Sequence, residues 1–404
     1  MDGGADMTPG PGLQRTILPQ GFLASGLNSG VRRYRPDIGI LLSETPAVAA
    51  GVFTLNECQA APVLYSKKCV PANNVRAIFT NSGQANAATG DQGVENNLMM
   101  VSAVAKKLNC DLNQVLIAST GVIGQQVDTE KILPAIPQLI DRANDVAESF
   151  AVAILTTDLV PKTVTTTVDL SMGQIRITGI SKGSGMIHPN MATMLGYILT
   201  DAKLELNYAD ELLKKTNQKS FNMISVDGDT STNDCCFLMA NGATQVELKS
   251  DEDFKKFEAA ITDVAIFLAK SIAADGEGAT KLIEVEISGS DNIELARKAA
   301  RGITLSPLIK TAVHGEDPNW GRILARLGAE GIPGVQLNQM TLTIQGTTVF
   351  ENGQPVIFDR AELKAKLKQA EVKFQINLFS GNQSVTAWGC DLSKKYVEIN
   401  TEYS

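Results

Sequence analysis

Residues 183–201 read GSGMIHPNMATMLGYILTD. The first part is small and glycine-rich and turns at Pro189-Asn190. From Thr193 an apolar run of strand length follows, ending at Thr200-Asp201, and it reads as a buried strand. The loop before it has no evident packing purpose. A flexible loop of small residues that delivers a threonine to the very start of a buried strand raises a chemical question more than a structural one.

The rest of the chain restricts the answers. At 404 residues it is long enough for a sizeable core and more than one domain. A formal net charge of -8 argues against nucleic-acid binding, which favours a basic face. Six cysteines at 58, 69, 110, 235, 236 and 390 show no C-x-x-C pairing, and two of them are adjacent, so reduced thiols and a cytoplasmic setting are expected. The beginning, MDGGADMTPGPGLQRTILPQG, has no apolar core of a leader and few arginines. No apolar run approaches a membrane span, so no membrane partner is expected. Only two histidines are present, His188 and His314. That excludes a multi-histidine zinc site and leaves any Ser-His-Asp arrangement dependent on one of the two. Each is expected to be a hydrogen-bonded structural residue.

Along the chain, 75–90 reads as a strand breaking into small polar residues, 94–109 as a helix, and 114–120 as a strand ending at Gly121. Residues 151–158 and 174–181 repeat the strand-to-turn pattern. Residues 251–276 form the clearest amphipathic helix, with acids at its start and a glycine at its end. Beyond about 290 the texture becomes that of a smaller α+β unit: a hairpin in MTLTIQGTTVFENGQPVIF, a short charged helix in RAELKAKLKQA, and strands in VKFQINL, QSVTAWG and KYVEIN. Strands ending in Gly/Ser/Thr/Asn turns place backbone N–H groups and hydroxyls along one rim.

Without a histidine base, a metal cluster or a P-loop lysine, a threonine can be activated by its own free α-amine, whose pKa near 7.7–8.0 leaves a neutral fraction at about pH 7. Thr193 is internal, so this chemistry requires a cut between Ala192 and Thr193. Small residues on the Ala192 side leave room for the hydroxyl to attack the Ala192 carbonyl.

The segment KGSGMIHPNMATMLGYILTD (182–201) resembles the cleavage segment of the ornithine acetyltransferase family, the ArgJ enzymes of arginine biosynthesis. TNSGQANAATG (80–90), STGVIG (119–124), LTTDLVPK (155–162), FNMISVDGDTSTND (221–234), DGEGATK (275–281) and DPNWGR (317–322) resemble further family segments in family order. The resemblance implies an α/β (α+β) fold, with a layered αββα sandwich core of the DmpA/ArgJ type and a smaller C-terminal α+β domain. It divides the chain into an α fragment 1–192, a β fragment whose core part is 193–289, and the smaller domain 290–404. It further implies acetyl transfer from N-acetylornithine to glutamate by a ping-pong route through acetyl-Thr193, with no cofactor and no metal. Thr193 matches the nucleophile, and Thr120 and Gly121 match the oxyanion pair. Thr156, Lys182, Thr193, Glu277 and Asn400 match substrate-binding positions. By charge, Lys182 suits the substrate carboxylate and Glu277 its side-chain ammonium. The tail INTEYS stops one residue short of the family pattern, leaving Ser404 as the only hydroxyl candidate there. Acetyl-CoA as a second acetyl donor stays open, and the family assembles as dimers of αβ units. DPNWGR receives no catalytic role, and Asp229 and Asp234 lack the later glutamate of a calcium loop. The rival enzyme reading is a self-processed aminopeptidase or amidase of the DmpA type, which passes the acyl group to water. A non-catalytic binding protein on the same scaffold is the rival from another class.

Overall fold

The computed structural model describes residues 13–14, 17–188 and 194–401; the expected cleavage residues Ala192 and Thr193, and Ser404, lie outside them. Two sheets carry the fold. The larger has nine strands. Its path runs Leu13–Gln14, Lys162–Leu170, Gly173–Lys182, Leu195–Thr200, Cys235–Ala240, Ile38–Phe53, Ala72–Gln84, Val115–Val122, and Phe22–Leu27 pairs onto Ile38–Phe53. The fully buried run Leu195–Thr200 is the strand foreseen after Thr193. It lies between Gly173–Lys182, antiparallel, and Cys235–Ala240, parallel, with both Lys182 and Cys235 opposite Leu195.

The large sheet folds over on itself. Lys182 and Thr120 sit on strands five spacings apart in the path, roughly 24 Å if the sheet were flat at about 4.8 Å per strand. Their side chains are nevertheless 3.4 Å apart. The Tyr197 hydroxyl likewise shares a 2.8 Å hydrogen bond with Thr80 Oγ1, on a strand three places away in the path. Alternation along the strands explains the fold-over. Tyr197, Leu199, Phe237, Ile180, Ile78 and Leu116 point into one buried cluster between the two halves. Ile198, Leu238, Ile177 and Val164 point the other way, against helices Leu206–Lys219 and Asp251–Ala274. Ile38, Ile40, Phe79 and Ile117 point outward on the other half, against Gly90–Leu108 and Thr129–Asp141. The result is helix, sheet, sheet, helix: the expected αββα sandwich.

The helix Asp251–Ala274 starts on a capping box between Ser250 and Asp253. It buries Ile261, Val264, Leu268 and Ile272 in a core shared with the second sheet, each side chain contributing about 1.5–3 kcal/mol on burial. That second sheet has seven strands, in the order Gln354–Pro355, Thr347–Glu351, Thr341–Ile344, Glu371–Asn377, Leu282–Ser290, Gln383–Cys390, Ile224–Ser225. It therefore takes in Leu282–Ser290 and Ile224–Ser225, which precede the α+β texture read from about residue 290.

Two segments read as strands are helical. Glu148–Ala153 is a helix whose Phe150 packs against Gly39. Lys394–Thr401 is a helix, with Ser393 Oγ accepting the Lys395 N–H at its start. Both are short apolar runs, where period alone does not separate strand from helix.

Candidate active site

The strand Val115–Val122 runs parallel to Ala72–Gln84, with Gly121 opposite Gly83. Gly121 has φ +132, and a β-carbon there would lie 2.2 Å from the Gly83 carbonyl carbon. Only glycine permits both this backbone and this approach. The turn is held from across the sheet. Asn233 Nδ2 donates to the carbonyls of Ser119 at 2.9 Å and Ala85 at 2.5 Å, and Ser119 Oγ donates to Asn81 Oδ1 at 2.6 Å. The half-buried Thr120-Gly121 pair is thus presented at the strand end.

Lys182 ends its own strand beside this turn. Its Nζ donates to Thr156 Oγ1 at 2.7 Å and approaches Thr120 Oγ1 at 3.4 Å and Asp158 Oδ2 at 3.8 Å. Thr120 Oγ1 accepts from the ammonium, so its own proton is free to be donated elsewhere. Burial lowers the Lys182 pKa, and Asp158 opposes that fall. Asp158 is fully buried, and burial works against its charge. Lys162 at 2.8 Å, Lys182 and the Gly183 N–H at 2.6 Å outweigh burial and hold the carboxyl well below the usual carboxylate range. Lys162 also pairs with Asp275 at 2.6 Å. The Thr156 N–H donates to Asp158 Oδ2 at 3.1 Å, so one carboxylate fixes both Thr156 and Lys182.

Glu277 Oε2 accepts from Asn400 Nδ2 at 2.7 Å. The glycine-rich loop has a packing purpose after all. A β-carbon at Gly185 would sit 2.4 Å from the Glu277 carboxylate, and the Glu277 N–H donates to Ser184 O at 3.0 Å. The loop continues through Met186, at φ +56, whose N–H donates to Asp227 at 2.6 Å; Ile187 N–H donates to the same carboxylate at 2.8 Å.

Thr120, Gly121, Thr156, Lys182, Glu277 and Asn400 all line one cavity of about 260 Å3, just below the roughly 300–1,000 Å3 usual for small-molecule clefts. Met194 and Leu195, which directly follow Thr193 in the chain, line it too. So do Ser231, Thr232, Asn233 and Asp234, to which the sequence reading gave no role. Asp158 and Asp227 were missed as well. The signals available were LTTDLVPK, where Asp158 lies between Thr156 and Lys162, and VDGD, whose first acid anchors the loop.

The histidines lie outside this cavity. His188 Nδ1 lies 3.1 Å from Ser225 Oγ and its Nε2 3.0 Å from an Arg301 nitrogen. Burial, aided by Arg301, lowers its pKa to about 4, so the ring is neutral near pH 7. His314 pairs with Asp391 at 2.7 Å. DPNWGR makes packing and pairing contacts: Asp317 pairs with Arg360 at 2.7 Å, Trp320 lies tilted against Phe350 with ring centroids 5.5 Å apart, and Arg322 donates to the Leu308 carbonyl.

The comparisons agree on one family. The model of the ArgJ family matches residues 23–404. The arginine biosynthesis bifunctional protein ArgJ of Oceanobacillus iheyensis is 45% identical over 388 residues, covering 95% of each chain. That of Dehalococcoides mccartyi is 45% identical over 391 residues, covering 96% of each. The chloroplastic protein of Sorghum bicolor is 44% identical over 399 residues, 95% of this chain and 86% of its own. A crystal structure of the arginine biosynthesis bifunctional protein ArgJ from Bacillus halodurans superposes with a TM-score of 0.50 at 42% identity, covering 52% of this chain and all of that one. This chain belongs to the ArgJ family and is an acyltransferase of arginine biosynthesis.

Proposed function

We propose that this protein transfers the acetyl group of N2-acetyl-L-ornithine to L-glutamate in the cytoplasm, through an acetyl ester on Thr193, after opening its own chain between Ala192 and Thr193. The observation that carries this reading is the convergence on one cavity of Thr120-Gly121, Lys182 with Thr156, Glu277 with Asn400, and Met194, the residue bonded to Thr193.

In maturation the Thr193 hydroxyl attacks the Ala192 carbonyl, and the Ala192–Thr193 C–N bond breaks so that the amide becomes an ester and the α-amine is freed. Water then cleaves the ester to give the Ala192 carboxylate and return the Thr193 hydroxyl. In turnover Thr193 Oγ attacks the acetyl carbon and its proton passes to the α-amine. The oxyanion forms against the Thr120 hydroxyl and the Gly121 N–H. The acetyl–nitrogen bond then breaks, and ornithine leaves with the proton held by the α-amine. Glutamate enters with a neutral amine and reverses the sequence, leaving as N-acetylglutamate. Lys182 takes the α-carboxylate of the substrate and Glu277 its side-chain ammonium, with Asn400 holding Glu277 in place. The two fragments stay associated as an αβ unit, and two such units form the dimer. The word bifunctional in the relatives' names favours a second donor, acetyl-CoA, at the same threonine.

The test supplies acetylornithine with and without glutamate. Transfer gives N-acetylglutamate in step with ornithine and little acetate. An amidase of the DmpA type releases acetate whether or not glutamate is present, and that outcome overturns the reading. Glutamate with acetyl-CoA in place of acetylornithine tests the second donor.

A further inference from the structure

The reaction above gives Asp234 no task, yet this residue is built into the cavity. The residue is 4% exposed and lines the wall; Ser231 hydrogen-bonds its carboxyl, but its Oδ2 has no hydrogen-bond partner among the described residues. An orphaned, buried carboxylate oxygen is costly unless something arrives to pair with it.

The charges in the wall and behind it point to what arrives. Lys162 and Lys182 face four carboxylates, Asp158, Asp275, Asp234 and Glu277. Asp158 and Asp275 are taken up by Lys162 at 2.8 and 2.6 Å, and Lys182 leans on Thr156 and Asp158. Among the described residues Asp234 and Glu277 form no ion pair, though Lys182 acts on both through space, so two ammonium groups would complete the set. Acetylornithine brings one. The cut before Thr193 creates the other, because it turns an uncharged peptide nitrogen into an amine.

Backbone geometry decides which carboxylate meets which amine. Cys235 is opposite Leu195 in the parallel pair, and the Cys235 N–H donates to the Met194 carbonyl at 3.0 Å. Asp234 and Met194 therefore enter the two strands side by side, and Thr193 is the residue bonded to Met194. Glu277, by contrast, sits on the loop after Asp251–Ala274, against Ser184 and Gly185.

We propose that Asp234 is the positioning residue of the nucleophile's α-amine: its free oxygen accepts an N–H from the amine of Thr193 and stabilises the ammonium formed when that amine takes the hydroxyl proton. The proposal rests on the cleavage reading above. The groups facing Asp234 are Ser231, which hydrogen-bonds it, Lys182 from the Gly173–Lys182 strand, with Asp158 and Glu277 around that lysine, and Cys235 next along its own strand. Burial raises the Asp234 pKa well above the usual carboxylate range, Ser231 and Lys182 oppose the rise, and an ammonium arriving at the free oxygen would oppose it further.

A carboxylate beside an amine favours its charged form and raises its pKa. Asp234→Asn should therefore lower the α-amine's midpoint. The experiment labels the amine at trace level by reductive methylation across about pH 5 to 9, around the free amine's value near 7.7–8.0. The peptide beginning Thr-Met-Leu-Gly is then read by mass spectrometry. The expected midpoint in Asp234→Asn lies about one unit or more below wild type, a tenfold change in proton affinity. The acid limb of kcat should move the same way, kcat should fall about tenfold or more, and KM should change little. Asp234→Glu, which keeps the charge, should return the midpoint toward wild type. If the asparagine variant does not mature, the same labelling is done on 1–192 and 193–404 expressed separately, with Asp234→Ser as the smaller replacement. Equal midpoints in wild type and the neutral variants overturn the proposal while leaving cleavage standing. A wild-type protein with no cut before Thr193 overturns the cleavage reading itself, and Asp234's role with it.

Discussion

Glu277 Oε2 accepts a 2.7 Å hydrogen bond from Asn400 Nδ2, joining residues 123 apart in the chain. The terminal helix thereby closes the cavity wall, and its Asn400 Nδ2 also donates to the Tyr396 carbonyl one turn back at 3.0 Å. If this carboxylate receives the substrate ammonium, Glu277→Gln keeps the shape and loses the charge. A hydrogen bond to a charged group contributes about 1.5–3 kcal/mol. The expected loss in kcat/KM for acetylornithine is therefore about 10- to 150-fold, with a far smaller loss for an acetylated amino acid whose side chain is neutral. Equal losses on both substrates would assign Glu277 to structure alone.

The oxyanion turn has two separable parts. Thr120→Val removes the hydroxyl without changing the shape, and kcat should fall about 10²–10³-fold with KM nearly constant. Gly121→Ala should fail differently. Its β-carbon would meet the Gly83 carbonyl carbon at 2.2 Å, so the variant should lose soluble, folded protein before any kinetics can be read. A well-folded Gly121→Ala enzyme with native melting would contradict the account of this turn.

Asp158 is the electrostatic keystone of the Lys182 side. Asp158→Asn strips Lys162, whose side chain is 1% exposed, of one of its two carboxylates, and the cost should be about 3–5 kcal/mol. The pH dependence has a definite sign. The folded-state pKa of Asp158 lies below its unfolded value near 3.9. Its stabilisation is therefore fully present above that unfolded value and drains away as pH falls toward the lower folded value. Thermal melts taken downward from about pH 7 should show an acid-side loss in wild type that is smaller in Asp158→Asn.

The loop before the expected scissile bond is held by Asp227, which accepts two of the loop's N–H groups, one from Met186 in the left-handed region. A non-glycine residue there costs about 1–2 kcal/mol, so without its anchor the loop should relax. Asp227→Ala should slow appearance of the fragment beginning Thr-Met-Leu-Gly by about tenfold or more, since 1.4 kcal/mol is a factor of ten. Material that has been cut should retain most of its transfer activity. Cleavage at the wild-type rate would remove the loop's geometry from the mechanism.

Much of this is legible in the sequence. Leu195–Thr200, Val115–Val122 and Asp251–Ala274 announce themselves by apolar runs, turn residues, and acids at a helix start with a glycine at its end, all local signals. Glu148–Ala153 and Lys394–Thr401 were misread because short apolar runs rich in Ala, Val or Ile suit either period, and tertiary contacts decide them. The fold-over of the large sheet could not be read, because nothing local links Lys182 to Thr120. For the same reason Asp158, Asp227 and Asn233 were invisible as supports. Each acts on residues distant in the chain or on backbone atoms, and their side chains look like ordinary loop polarity in the sequence. The purpose of Gly185 appears only once Glu277 is seen to occupy the space a side chain would fill.

The central claim is an acetyl group on Thr193, and the most direct measurement incubates the purified protein with acetylornithine, omits glutamate, and maps the adduct by mass spectrometry after acid quenching. The account predicts one acetyl group on the threonine that begins the fragment Thr-Met-Leu-Gly, lost on adding glutamate, and absent from a Thr193→Ala protein assembled from 1–192 and 193–404. An acetyl group on any other residue, or one that persists in the assembled Thr193→Ala protein, would contradict it.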